Sequence, residues 1–240
     1  MSLVAIVLIG SCFFIRLIPR IILKDLLVSD TYYHLFIARK IRDNGHRRLD
    51  TVDNFVIQNV QTYPYFFHWL LSFLSTQSLR KFERVCGALF DTILAVIVYF
   101  TAKYFQSQWD VARLSMLPEL VLLFFTVSPV MLRTGDGPRC YNCNPRIFGS
   151  ILFQLTLLFV FIYLQQGDWW LLMVSMVLGG LIFISVIFGI QSIIFFSLFL
   201  AVSYSPVFLS VLGGSFICAM VFSRGWSLTI IKGIFKHLVF

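Results

Sequence analysis

The run Asp30-Thr31-Tyr32-Tyr33-His34 places a carboxylate, two phenols and an imidazole within little more than one helical turn. Groups of those types at that spacing can move a proton or grip a phosphate. A carboxylate where the chain leaves a membrane can act as general base toward an acceptor, or hold a divalent cation, Mg²⁺ or Mn²⁺, against a phosphate. His34 lies one turn beyond Asp30 and shares its helix face. It can hydrogen-bond the carboxylate or donate to a phosphate, with Tyr33 beside it as a substrate contact. The plainer alternative is that Ser29 or Asp30 only caps a helix and that His34 fills an interfacial position. A second set follows much later: Arg133-Thr134-Gly135-Asp136-Gly137, then Arg139 and Arg146. Guanidinium forks pair bidentately with phosphate oxygens, so Arg133 and Arg139 are candidate phosphate ligands and Asp136 an auxiliary acid. An acid between two glycines also makes an ordinary β-turn.

The elements that must position these groups are membrane helices. The chain has 240 residues, is 59% hydrophobic with 27 Phe, and is only 12% charged, where soluble domains carry about 25% charged residues. A span needs roughly 20 apolar residues. Apolar runs at 3–18, 82–105, 114–132, 148–165, 169–187, 189–204 and 207–222 predict an all-α polytopic membrane protein of about seven transmembrane helices. All of residues 1–240 then form a single transmembrane domain. Residues 19–81 make a long first external loop with helices of its own, and 133–147 a second, irregular external loop rich in Gly, Pro and Asn. In the first loop, Thr31 to Asn44 reads as a helix stopped by Gly45. Residues 66–74 form a surface helix too short to cross. With that count both polar loops face the same side of the bilayer. The basic apolar tail from Ser227 reads as a helix lying on the membrane surface.

The net charge of +8 is concentrated in the first loop and its flanks, at Arg20, Lys24, Arg39, Lys40, Arg42, Arg47, Arg48, Arg80 and Lys81. Most of these serve ordinary headgroup attraction, about 1 kcal/mol per basic residue. Membrane lipids and lipid-linked phosphates, not nucleic acid, are the expected anions. By the positive-inside rule so basic a loop would be cytoplasmic, although the rule loses force for loops of about sixty residues. No secretory signal peptide is evident. Cys140 and Cys143 have the spacing of half a zinc site without its other half, so free thiols or a local disulfide are expected. Asp91 lies inside an apolar run, where acids are costly; it is expected to hydrogen-bond another helix. There is no Gly-rich nucleotide loop and no nucleophile elbow.

The order of these features resembles the GT-C superfamily of membrane glycosyltransferases, most of all the catalytic subunit of oligosaccharyltransferases. The likeness covers roughly residues 3–165. Those proteins carry an Asp just after the first span, commonly as D-x-x-Y-[HN]; here it reads Asp30-Thr31-Tyr32-Tyr33-His34. Their second external loop often opens R-[ST]-x-x-G, as Arg133-Thr134-Gly135-Asp136-Gly137 does in part. The D-x-D pair expected near Cys140 to Asn144 is replaced by Asn142 and Asn144, and no W-W-D acceptor motif is present.

The resemblance implies transfer of a sugar or glycan from a polyprenyl-phosphate or polyprenyl-diphosphate carrier to a lipid, glycan or protein. Asp30 would be base or metal ligand, with other membrane subunits as candidate partners. The membrane would be the plasma membrane of a prokaryote or the endoplasmic reticulum of a eukaryote. The chain also reads as the N-terminal part of a larger enzyme. Two other functions stand beside this one: a non-catalytic or truncated GT-C-like membrane protein, and a transporter of lipid-linked glycans. Residues 149–223 carry a single charge, Asp168, which argues against a polar path through that half.

Overall fold

The computed structural model describes residues 1–22, 29–52, 63–108, 115–128 and 143–239; for Ser29, Asp30 and 235–239 it describes the backbone only. The described chain is all-helical: α1 Leu3–Ile22, α2 Ser29–Asp43, α3 Phe66–Ser72, α4 Thr76–Gln108, α5 Leu117–Val127, α6 Pro145–Gln166, α7 Trp169–Ser185, α8 Ile187–Ser203, α9 Val207–Phe222 and α10 Ser227–Val239. Among the described residues there is no strand. Two compact units result, Met1–His34 with Ser75–Ile147, and Leu35–Leu74 with Phe148–Phe240.

In the first unit α1, α4 and α5 pack on one another. Ala5, Cys12, Ala95, Tyr99 and Leu122 form its buried apolar centre. α1 continues past the expected end of its apolar run at residue 18, burying Arg16 within that run and Arg20 beyond it. Both charges are neutralised by acids on α4, so the helix does not have to stop before them. α4 likewise starts ahead of its apolar run and has 33 residues, about 50 Å at 1.5 Å per residue. Pro118 sits in the first turn of α5, where the missing N–H costs nothing.

In the second unit α7 and α9 pack closely, with α8 against both. A methyl group on Gly180 would lie 3.1 Å from the Ser215 carbonyl oxygen and from the Ala219 nitrogen, so the two helix backbones nearly touch. The break between α7 and α8 falls at Val186, in an extended conformation, and not at a glycine. Gly189 instead admits the fold-back: a methyl there would lie 2.6 Å from Ile182 Cγ2 and from Val186 Cγ1. The first part of the same unit is the folded loop. The end of α2 is tied to the end of α3 by Arg42, which donates to the Leu74 carbonyl at 3.2 Å. His46 stacks on Phe73 with centroids 4.4 Å apart and its Nδ1 meets Ser72 Oγ at 2.8 Å.

The distribution of side chains is inverted relative to a water-soluble protein. Arg16, Asp91, Ser175 and Ser215 are fully buried, whereas Phe124, Phe195, Phe199 and Val202 are 71%, 71%, 66% and 93% exposed. Exposed phenylalanines together with buried charges fit a hydrocarbon surround. α1, α4 and α6 are long and apolar enough to cross a membrane, and α9 with Ser227–Ile234 would add a fourth span broken by a 119° bend. By length and composition the described helices therefore supply three to four spans. α5, α7 and α8 are apolar but shorter, at 11, 17 and 17 residues.

Candidate functional site

α2 brings the Asp30 motif into one helix, as the spacing predicts. The helix begins at Ser29 and ends in a Schellman turn: Gly45 is left-handed at φ +65°, its N–H donates to Arg42 O, and the His46 N–H donates to Ile41 O, both at 2.9 Å. Glycine tolerates that conformation at no steric cost. In the first turn Thr31 is fully buried, with a hydroxyl lacking a hydrogen-bond partner. His34 is also buried, and the Tyr33 and His34 rings meet edge to face at 5.5 Å. The Asp30 side chain lies outside the description, and Arg133, Asp136 and Arg139 lie outside the described residues altogether. The geometry therefore gathers Thr31, Tyr33 and His34, and does not test the second loop.

The strongest charge constellation lies instead between α1 and α4. Arg16 Nε donates to Asp91 Oδ2 at 2.8 Å, and both side chains are fully buried. Its other two nitrogens donate to the carbonyls of Thr126 at 2.8 Å and Phe125 at 3.2 Å. Those are C-terminal carbonyls of α5, which have no partner within their own helix. One guanidinium thus joins three helices, neutralising an acid and closing a helix end whose dipole favours a cation. One turn further along α1, Arg20 Nη2 donates to both oxygens of Glu83, at 2.8 and 2.7 Å. The pairings run in opposite order along the two helices, so α1 and α4 are antiparallel. At the far end Ser2 Oγ donates to Glu119 Oε1 of α5 at 2.6 Å.

Sequence reasoning expected an inter-helical partner for Asp91 without finding Arg16, and gave Glu83 no role. A signal existed: two arginines one turn apart at the end of one apolar run, and two acids two turns apart in the next long one. Charges inside spans are expensive enough to be matched in pairs.

The cysteine reading resolves in part. Cys12, Cys86, Cys143 and Cys218 are free thiols, Cys86 and Cys143 both buried. Cys140 lies outside the described residues. Asn144, standing where an acidic pair was looked for, caps α6: its Oδ1 accepts the Arg146 N–H at 3.0 Å, with Pro145 between them. A Mg²⁺ or Mn²⁺ ion at Asp30 would need further donors, and no group of three His, Cys, Asp or Glu side chains among the described residues offers them.

Comparison with protein-family models, with curated proteins and with solved structures finds no match for this chain. Fold and side-chain distribution together define a helical protein compatible with a membrane, held in its first unit by buried ion pairs.

Proposed function

We propose that the chain is an integral membrane protein of about seven spans, counting α7 and α8 at the 17-residue lower limit for crossing and α5, 11 residues long, by the longer apolar run 114–132 that contains it. We propose further that it transfers a sugar or glycan from a polyprenyl-linked phosphate donor to an acceptor hydroxyl or amide. The carrying observation is the first turn of α2, in which Asp30, Tyr33 and His34 share one short helix directly after α1, with His34 buried. The acceptor attacks the anomeric carbon, the carbon–oxygen bond to the carrier breaks, and the acceptor proton passes to the Asp30 carboxylate. The polyprenyl phosphate leaves with its charge met by Arg133 and Arg139, while Asp136 polarises the acceptor and His34 and Tyr33 orient the donor.

The buried ion pairs support this reading because they fix α1 in the first unit, and α1 leads toward Asp30 in the chain. Asp30→Asn in proteoliposomes loaded with a polyprenyl-phosphate sugar is expected to abolish carrier release without lowering the yield of folded protein. Asp43→Asn, at the exposed end of the same helix, is expected to leave release unchanged. Full activity of the Asp30 variant removes that residue from the mechanism. A non-catalytic reading has one observation in its favour: Asn144 is committed to capping α6. No carrier release by the wild-type protein above that of protein-free liposomes would support it.

A further inference from the structure

The elbow between α9 and α10 carries a cluster that the transfer reaction does not use. α9 closes in a Schellman turn, with Arg224 N–H donating to Val221 O at 3.2 Å and Gly225 N–H to Met220 O at 2.8 Å. The left-handed position of that turn is usually glycine; here it is Arg224, at φ +52°. A residue with a Cβ is disfavoured there, and such outliers concentrate at functional positions. Trp226 follows, 7% exposed, with an indole N–H that lacks a hydrogen-bond partner. The Tyr65 ring lies 5.0 Å from it and the Arg48 guanidinium 4.3 Å above its ring.

All of these groups donate. Burial pushes the Tyr65 phenol above its ordinary value despite the charges of Arg48 and Arg224, so it remains a hydroxyl. Asp50 pairs with Arg48 at 2.7 Å from an exposed position, and exposed pairs contribute little, so a stronger anion can displace it. Two guanidiniums, a phenol and an indole N–H match an oxyanion with several acceptor oxygens. The depth fits as well. α10 turns 119° away from α9, Trp and Tyr favour the membrane–water boundary, and two guanidiniums are costly in hydrocarbon.

We propose that Arg48, Arg224, Tyr65 and Trp226 bind the phosphate of a membrane lipid, either a phospholipid headgroup or a lipid-linked phosphate. The site rests on the membrane reading alone and not on glycosyl transfer.

The full chain in neutral detergent, titrated with phosphatidylglycerol, with a polyprenyl phosphate and with inorganic phosphate under native mass spectrometry, tests it. At least one lipid phosphate is expected to bind, and Arg48→Gln/Arg224→Gln to weaken it at least about tenfold, or 1.4 kcal/mol at 25 °C. The lipid that binds tighter identifies the source; inorganic phosphate binding as tightly as either lipid would keep the chemistry and move the source to water. Equal binding by wild type and the double variant overturns the proposal, as does an equal loss in Arg47→Gln. If the double variant does not fold, Trp226→Phe serves instead. The fluorescence difference between it and wild type should change on lipid addition, and an unchanged difference is equally fatal.

Discussion

The helices of the first unit and the packed helices α7, α8 and α9 of the second solve one problem by opposite means. In hydrocarbon, apolar side chains gain nothing by leaving the solvent, so helices must be joined by polar groups or by close backbone contact. α1, α4 and α5 use polar groups: Arg16 with Asp91 and two carbonyls, Arg20 with Glu83, Ser2 with Glu119. α7, α8 and α9 contain no Asp, Glu, Lys or Arg. They rely on glycine, with hydroxyls that bond back to their own helix, as Ser175 does to Leu172 and Ser203 to Phe199. The first arrangement should be sensitive to chemistry at constant shape, and the second to shape at constant chemistry.

The most damaging test of that contrast is Arg16→Leu. It leaves Asp91 buried without its guanidinium and leaves the carbonyls of Phe125 and Thr126 without a donor. Breaking a buried pair from one side costs about 3–5 kcal/mol, and thermal unfolding in detergent, followed by circular dichroism, should show a loss of that order. Arg16→Leu combined with Asp91→Leu should recover more than half of it, because no lone charge remains. Recovery should stay incomplete, since the α5 carbonyls are still unserved. A single variant as stable as wild type would show that the pair does not hold these helices.

Next in size is Gly180→Ala. The added methyl would meet Cys218 Cβ at 2.7 Å and α9 backbone atoms at 3.1 Å, and a backbone cannot rotate away as a side chain can. Overpacking of this kind costs about 1–3 kcal/mol. Gly213→Ala, one turn from the contact, meets nothing within 4 Å and should be neutral or slightly stabilising, since Ala is the better helix former by about 1 kcal/mol in water. The same melting experiment compares them. Equal midpoints for the two variants would mean that α7 and α9 are not in backbone contact.

The sequence made some of this contrast visible and hid the rest. Apolar runs located the helices and Gly45 marked the end of α2, because those signals are local. α1 and α4 reach beyond the runs 3–18 and 82–105 because hydrophobicity marks only the apolar part of a helix, and Arg20 and the mostly polar residues 76–81 lie outside it. Arg16 and Asp91 are far apart in the chain, and nothing local says that α1 and α4 are neighbours. Gly180 and Gly213 look alike in sequence; only the facing helix distinguishes them. The α2 motif was legible as a set of groups on one helix. Whether the loop after α5 meets it depends on tertiary structure outside the described residues.

The smallest effects are at Ser2 and its partner Glu119. Its hydroxyl accepts the Ala5 N–H at 3.1 Å, capping α1, and donates to Glu119 at 2.6 Å. Ser2→Ala removes both bonds, and loss of a cap costs about 1 kcal/mol. Glu119→Gln keeps an acceptor for the hydroxyl and removes only a charge at a half-buried position, where about 0.5 kcal/mol is expected. If polar ties govern the first unit through the bonds each variant breaks, the order of loss must be Arg16, then Ser2, then Glu119. Unfolding midpoints that place Glu119→Gln below Ser2→Ala would reverse it. They would mean that the carboxylate at the head of α5 acts through its charge on the helix N-terminus rather than through the hydroxyl it accepts.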